Sequence, residues 1–208
     1  MKKNLLFFLG CFLLLQACKK TDDLQSSETG SNKSPDAQVS YVPDNTLKVV
    51  AYFPSYRDPA NVSASKYQLT THLFYAFLGC NSNGDLLTVP NVSRFNSVIA
   101  TARANGAKVG ISVAGPANLK IVAADPVKRT RLVNNLVNFV LSNNLDGLDM
   151  DWEYPRSNDG TDVSYAALMK ELSVALHAQN KFLSAALTPG VYSGAVRDGI
   201  KTEVFGYA

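Results

Sequence analysis

Five short β-rich runs, each closed by proline or glycine, are the feature that most restricts the fold of this sequence. They begin near residues 48, 71, 107, 145 and 182, about 23 to 38 residues apart, which is the size of a β-α unit. Apolar residues at helical spacing lie between them, at 92–102, 133–140 and 165–176. Gly106 predicts the end of the first helix, and Asp125-Pro126 predicts the start of the second. Alternating strands and helices predict an α/β fold with a parallel sheet, either doubly wound or part of a (β/α)8 barrel.

Composition and charge exclude several classes of protein. With 46% hydrophobic and 18% charged residues, the chain has an ordinary globular composition. The net charge is only +3 and no basic cluster occurs, which argues against a nucleic-acid partner. No glycine-rich phosphate loop follows the first run, which ends in Phe53-Pro54, so a nucleotide-binding fold is not favoured. Nothing in the sequence indicates a cofactor.

Acidic and apolar residues alternate in the fourth run. The acids Asp149, Asp151 and Glu153 alternate with Leu148, Met150 and Trp152. Because side chains on a strand point to opposite faces in turn, the acids share one face and the apolar residues share the other. In a barrel the acids would face the axis, and the last would lie at the C-terminal mouth, where barrel enzymes have their sites. Carboxylates crowded on a buried face repel one another, so at least one should hold a proton at neutral pH; that cost indicates a functional site.

Three interpretations of these acids compete. An exposed edge strand could carry them without function, but its other face would not then be so apolar. Carboxylates also suit Mg²⁺ or Ca²⁺, but the spacing of a calcium loop and a nearby histidine are both missing, so no metal is expected. A general acid and base for glycoside cleavage fits the pattern best.

The fourth run resembles the DGxDxDxE signature of glycoside hydrolase family 18, whose acids here are Asp146, Asp149, Asp151 and Glu153. That family contains chitinases and endo-β-N-acetylglucosaminidases, and the following Tyr154-Pro155 looks more like the chitinase branch. Segments similar to the family's first, second, third and fifth strands occur in the same order, at 50–53, 74–77, 112–115 and 185–189. Ala114 stands where the third-strand motif has its first glycine. The resemblance covers residues 47–208 and implies a TIM-type (β/α)8 barrel.

The resemblance also implies a retaining, substrate-assisted mechanism. Glu153 would protonate the glycosidic oxygen while the substrate's own N-acetyl oxygen attacks the anomeric carbon to give an oxazolinium ion. Asp151 would orient the acetamide and stabilise its positive charge, and Asp149 would share a proton with Asp151. Asp146 is expected on the opposite face of the strand from the other three acids and is interpreted as structural.

The resemblance further implies a glycan as the binding partner. Tyr52 and Tyr154 are expected near the sugar. The implied substrate is chitin or chitooligosaccharides, with β-1,4 linkages between N-acetylglucosamine units. The alternatives are an endo-β-N-acetylglucosaminidase that acts on glycoprotein glycans, and a surface lipoprotein that binds glycans without catalysis.

The N-terminus carries the pattern of a lipoprotein signal. Lys2-Lys3 precedes the apolar run Leu5–Leu15, which is shorter than the about 20 residues that span a bilayer. Ala17-Cys18 resembles a bacterial lipobox, so residues 1–17 are predicted to be a signal peptide and Cys18 the lipidated residue. Residues 18–46 are polar and predict a flexible tether. We therefore expect an outer-membrane lipoprotein of a bacterium, and the acids shortly after Cys18 favour exposure at the cell surface.

The part of the sequence that resembles family 18 is shorter than a complete barrel. A complete barrel takes about 250 residues, whereas only 47–208 remain after the signal and tether. We expect a C-terminally truncated barrel of about five β-α units, monomeric, and inactive or nearly so by itself. The last residues, 201–208, look like the approach to a sixth strand. Cys80 would be the last cysteine left unmodified and is interpreted as a packing residue.

Overall fold

The computed structural model describes residues 46–187, which form one parallel sheet flanked by helices. The strands are β1 (Val50–Pro54), β2 (His72–Leu78), β3 (Lys108–Ala114), β4 (Gly147–Asp151) and β5 (Phe182–Ala185). The helices are α1 (Ala64–Gln68), α2 (Val92–Ala104), α3 (Pro116–Ala124), α4 (Pro126–Ser142) and α5 (Thr161–His177), with a short 3₁₀ turn at Pro59–Asn61.

The strand order is that of a barrel. Neighbouring strands follow sequence order, β1-β2-β3-β4-β5, and every pair is parallel. A doubly wound sheet would instead reverse its order at a switch point. The sheet is also strongly curled, because side chains of strands that are not neighbours meet on its concave face. The ring of Phe74 on β2 lies 5.8 Å from that of Phe182 on β5. The predicted α/β barrel-type fold, with its first five strands, is confirmed.

The apolar core lies between the convex face of the sheet and the helices. Ile111, Leu148 and Met150 point to this side and are completely buried. Trp152 is 3% exposed and its ring meets that of Tyr165 on α5 edge to face, with centroids 5.5 Å apart. The predicted orientation of Trp152 toward the helices is confirmed. Burial of these side chains holds β4 against α5 and so fixes the direction of the acids on its other face.

Local signals placed two helix boundaries correctly. Asp125 caps α4, since its carboxylate accepts hydrogen bonds from the backbone N–H groups of Val127 at 2.9 Å and Lys128 at 3.2 Å. Pro126 follows at the first helical position. Gly106, just after α2, has a φ of +89°, a left-handed conformation that ends helices and favours glycine.

Helices α1 and α3 were not predicted from the sequence. The five residues of α1 are too few to show a periodic pattern. The third β-rich run is closed by Gly115-Pro116, and these residues predict only the end of a strand. In the structure Pro116 also begins α3, where its fixed φ suits the first turn.

Several predictions fall outside the described residues. These are the signal peptide, the lipidated Cys18, most of the tether and the approach to a sixth strand. Within residues 46–187, no helix has both the length and the apolar character needed to cross a membrane. Cys80 is free and buried, and burial raises the pKa of its thiol to about 11, as suits a packing residue.

Candidate active site

The acids of β4 are buried to different degrees along the strand. Asp149 is 1% exposed, Asp151 at the end of the strand is half-buried, and Glu153 in the loop beyond it is exposed. The expectation of three acids on one buried face is therefore wrong for Glu153. The strand ends at Asp151, so the alternation that buries Asp149 does not continue to Glu153. The stripe runs from the interior of the curled sheet out to its C-terminal edge.

Three hydroxyl groups from three strands hold Asp149. Oδ2 accepts from the Ser112 hydroxyl at 2.8 Å and from the Tyr52 hydroxyl at 3.1 Å, and Oδ1 accepts from the Ser184 hydroxyl at 2.6 Å. Ser112 and Ser184 are the register partners of Asp149 on β3 and β5. Tyr52 reaches across the concave face from β1. The carboxylate of Asp149 is thus held at both of its oxygens.

Tyr52 remains a hydrogen-bond donor at all ordinary pH values. Its pKa is raised by burial, then by the charge and hydrogen bond of Asp149, and further by Asp151 and Glu153. The phenol therefore keeps its proton directed at Asp149. Tyr52 is also 42% exposed, so its ring contributes to the open surface of the site, where the sequence predicted a sugar contact.

Asp151 differs sharply from Asp149. Its Oδ1 is buried and has no hydrogen-bond partner. Burial, followed by the charges of Glu153 and Asp149, raises the pKa of Asp151 above its ordinary value of 3.8. The surroundings therefore penalise the negative charge of Asp151.

Asp146 and Tyr154 lie on either side of this group. Oδ2 of Asp146, at the N-terminal end of β4, accepts from the backbone N–H of Val109 at 2.8 Å and lies 3.8 Å from Arg103 Nη2. It therefore does not join the other acids. Tyr154 is half-buried and follows Glu153 through a cis peptide bond.

Glycines make room for aromatic rings beneath the acids. A Cβ added to Gly110 would lie 2.8 Å from the ring of Phe74, and one added to Gly147 would lie 2.4 Å from both the ring and the carbonyl of Phe182. Contacts that short leave space for hydrogen alone. These two rings fill the interior of the curled sheet one layer below Asp149. Ala114, where the resembling motif has glycine, pairs with Asp151 in the register and is accommodated without loss of the strand.

Two of the groups around the acids were missed as site residues. Ser112 was noted only as part of a motif, and Ser184 was not singled out. Each is a hydroxyl within an otherwise apolar strand, Ser112 fully and Ser184 partly buried, and a hydroxyl withdrawn from water needs a partner. The parity of both residues matches that of Asp149, but only the register between strands shows that they meet it. Within residues 46–187, no three His, Cys, Asp or Glu side chains are grouped so as to hold a metal ion.

Comparison with known proteins agrees with this geometry. Residues 48–204 match the model of the glycosyl hydrolases family 18. Probable chitinase 10 of Drosophila melanogaster is 29% identical over 172 residues, which are 69% of this chain and 7% of that protein. A chitinase-like effector of Moniliophthora perniciosa is 38% identical over 104 residues, covering 47% of this chain and 23% of the effector.

Solved structures show the same relationship. The crystal structure of a chitinase from Bacteroides thetaiotaomicron is similar with a TM-score of 0.60 and 26% identity, over 68% of this chain and 47% of that one. This chain therefore spans less than half the length of each of these three proteins. Since the family model matches most of the sequence, the chain belongs to glycosyl hydrolase family 18.

Proposed function

We propose that this chain supplies the catalytic acids of a hydrolase that cleaves β-1,4 linkages between N-acetylglucosamine units in chitin or chitooligosaccharides. One observation carries the proposal: the order of environments along β4. Asp149 is held by hydroxyl groups, Asp151 presents an unpartnered oxygen, and Glu153 is open to solvent. The Drosophila melanogaster and Bacteroides thetaiotaomicron proteins to which the chain is similar are both named chitinases.

The proposed reaction is substrate-assisted and retaining. Glu153 donates its proton to the glycosidic oxygen as the bond from that oxygen to the anomeric carbon breaks. The carbonyl oxygen of the neighbouring N-acetyl group forms a bond to the same carbon and gives an oxazolinium ion. Water then adds to the anomeric carbon as the bond from that carbon to the acetamide oxygen breaks, which restores the N-acetyl group, and the water gives a proton to Glu153. Because both displacements invert the anomeric centre, the configuration is retained overall.

Asp151 is suited to direct the acetamide in this reaction. Its half-buried position places it between the interior and Glu153, and its unpartnered Oδ1 is an acceptor for the acetamide N–H. A carboxyl there orients the N-acetyl oxygen toward the anomeric carbon and stabilises the positive charge as it develops. Asp149, held from both sides, supports the orientation of Asp151.

The test combines hydrolysis and binding of chitotetraose with the 208-residue chain. Glu153→Gln should lower the turnover of this chain by about 10²- to 10⁴-fold, the usual contribution of a general acid. The matched control is Glu171→Gln. Glu171 lies on α5, away from the site, and its Oε1 is 2.6 Å from Nε of Arg129. Proton NMR of the first product should show the β-anomer. Turnover by Glu153→Gln at the wild-type rate contradicts the proposal.

Binding tests the site even where turnover is low. Asp151→Ala should weaken chitotetraose binding by about 10- to 100-fold, the value of a hydrogen bond to a charged group, measured by isothermal titration calorimetry. A glycoprotein N-glycan core serves as the second ligand, since an endo-β-N-acetylglucosaminidase would prefer it. Tight binding together with no cleavage of either glycan would indicate the non-catalytic alternative.

The sequence pattern at Cys18 supports a proposal about location. We propose that the chain is anchored through lipid on Cys18 to the outer membrane of a bacterium. The basic pair, the apolar run and the small residue before the cysteine support this proposal. An anchor would place a hydrolase of insoluble or cell-surface glycans at the surface where such substrates are met.

A further inference from the structure

Glu153 lies in a segment of three residues, 153–155, whose two ends are both held against α5. Before the segment, Trp152 is 3% exposed and its ring packs against that of Tyr165 on α5. After the segment, Arg156 is bound through its backbone to the first turn of the same helix. Glu153 itself is exposed, so the position of its carboxyl group depends on how firmly these two ends hold the backbone.

Thr161 makes the hydrogen bond that holds the second end. Its Oγ1 accepts from the backbone N–H of Arg156 at 2.6 Å. The backbone N–H of Asp162 donates to the carbonyl of Arg156 at 3.2 Å, so both backbone groups of Arg156 are tied to the start of α5. Thr161 is only 5% exposed, and loss of its hydroxyl would remove an acceptor that water cannot easily replace there.

Asp159 directs the hydroxyl of Thr161. A hydroxyl has a single proton to donate, and Oγ1 lies 2.7 Å from Oδ1 of Asp159 but 3.2 Å from the carbonyl oxygen of Arg156. The shorter contact goes to a charged acceptor, which makes the stronger bond, so a lone pair of Oγ1 is left for the N–H of Arg156. Lys120 on α3 binds Oδ2 of Asp159 at 2.8 Å. The bonds from Lys120 and then from Thr161 lower the pKa of Asp159 to about 2, which keeps this acceptor ionised near neutral pH.

We propose that Thr161 is a positioning residue for Glu153 in the glycoside cleavage described above: its hydroxyl fixes Arg156 and thereby the backbone that carries the general acid. The catalytic part of this inference rests on the proposed function, whereas the restraint on the backbone belongs to the folded chain without substrate. A general acid must stay within hydrogen-bond reach of the oxygen that it protonates, and a misplacement of about 1 Å can lower a rate by about 100-fold.

The restraint is tested by ¹⁵N NMR relaxation of the full chain without glycan. The backbone order parameter of Glu153 should be about 0.85 in the wild type and below about 0.6 in Thr161→Val, which keeps the shape of the side chain and removes the hydroxyl. Thr161→Ser keeps the hydroxyl and should return the order parameter close to that of the wild type. An order parameter that Thr161→Val leaves unchanged, or a Ser variant that behaves like Val, overturns the inference.

The matched control is Thr101→Val on α2, whose hydroxyl bonds the carbonyl of Ser97 in its own helix at 2.8 Å. It should leave the order parameter of Glu153 as in the wild type. Should Thr161→Val not fold, Asp159→Ala decides, because it changes an exposed side chain and removes the acceptor that directs the Thr161 hydroxyl. The order parameter of Glu153 should then be intermediate, and a wild-type value overturns the inference.

The catalytic consequence is tested with two substrates whose leaving groups differ. Cleavage of chitotetraose releases a sugar hydroxyl, which needs the proton of Glu153, whereas a nitrophenyl glycoside of the N-acetylglucosamine dimer releases a stable anion that needs it little. Thr161→Val should lower kcat for chitotetraose by about 10- to 100-fold with a KM close to that of the wild type, and should change kcat for the nitrophenyl glycoside little. Equal losses on both substrates would indicate general damage to the site and overturn the inference.

Failure of the inference and failure of the proposed function give different results. A chain that cleaves neither substrate but has a mobile Glu153 backbone in Thr161→Val supports the restraint and contradicts the proposed function. A chain that cleaves both substrates, with a Glu153 backbone that Thr161→Val does not change, contradicts only the role of Thr161.

Discussion

Asp149 and Asp151 are two residues apart on one strand, yet their carboxyl groups have different surroundings. Hydroxyl groups donate hydrogen bonds to both oxygens of Asp149, while burial and neighbouring negative charge raise the pKa of Asp151. The difference arises from depth along the strand: the inner residue has partners on β1, β3 and β5, and the outer one does not. The negative charge of Asp151 therefore lowers the stability of the fold, while its unpartnered Oδ1 remains available to a substrate.

The raised pKa of Asp151 predicts how the stability of the fold changes with pH. Because the pKa of Asp151 is raised in the folded chain above its ordinary 3.8, its contribution to stability is complete below that pH and is lost as the pH rises through the folded-state pKa. Asp151→Asn mimics the neutral form at every pH. The variant should match the wild type in free energy of unfolding near pH 3.5 and exceed it at pH 7, as measured by urea unfolding followed by circular dichroism.

The control for this prediction is the same change at Asp85, an exposed carboxylate of the loop between β2 and α2. It should leave the pH dependence of the wild type unchanged. Equal stabilities of wild type and Asp151→Asn at pH 7 and at pH 3.5 would show that the surroundings of Asp151 do not penalise its charge.

At the scale of elements, the pairing of β4 with β5 depends on the absence of a side chain at Gly147. An added methyl would lie 2.4 Å from the carbonyl and ring of Phe182, and the carbonyl belongs to the backbone of β5, so the strand itself would have to shift. Gly147→Ala should lower the free energy of unfolding by about 1–3 kcal/mol, the usual cost of overpacking, as measured by urea unfolding. A stability equal to that of the wild type would contradict the close approach of β5.

Gly79→Ala is the matched control for this change. Its added methyl would meet chiefly the end of the flexible Leu87 side chain, at 3.1 Å, which can rotate away. A smaller loss than that of Gly147→Ala is therefore expected.

Elements could be predicted from sequence where one segment carried the whole signal. The cap at Asp125-Pro126 and the opposite faces of β4 needed only local pattern, and both were correct. The exposure of Glu153 was not predicted because alternation does not show where a strand ends. The hydrogen bond from Ser184 to Asp149 was not predicted because it depends on the register between two strands, and the two residues are 35 positions apart in sequence. Contacts between strands are what a single sequence shows least.

For the whole molecule, the proposed anchor can be tested independently of the site. When the chain is expressed in a bacterial host with a radioactive palmitate label, the label should appear in the protein and the protein should partition into detergent. Cys18→Ser should abolish both, and Cys11→Ser, within the predicted signal peptide, is the matched control and should abolish neither. Labelling that persists in Cys18→Ser would contradict lipidation at that residue.

The position of Trp152 gives the protein a natural spectroscopic reporter. It is the single tryptophan of the sequence, and it lies between Asp151 and Glu153 with its ring buried against Tyr165. Tryptophan fluorescence, excited at a wavelength that tyrosine does not absorb, therefore monitors one location only, the back of the strand that carries the acids. A red shift in emission would mark separation of this strand from α5, so that the integrity of the site can be followed optically without a substrate or an added dye.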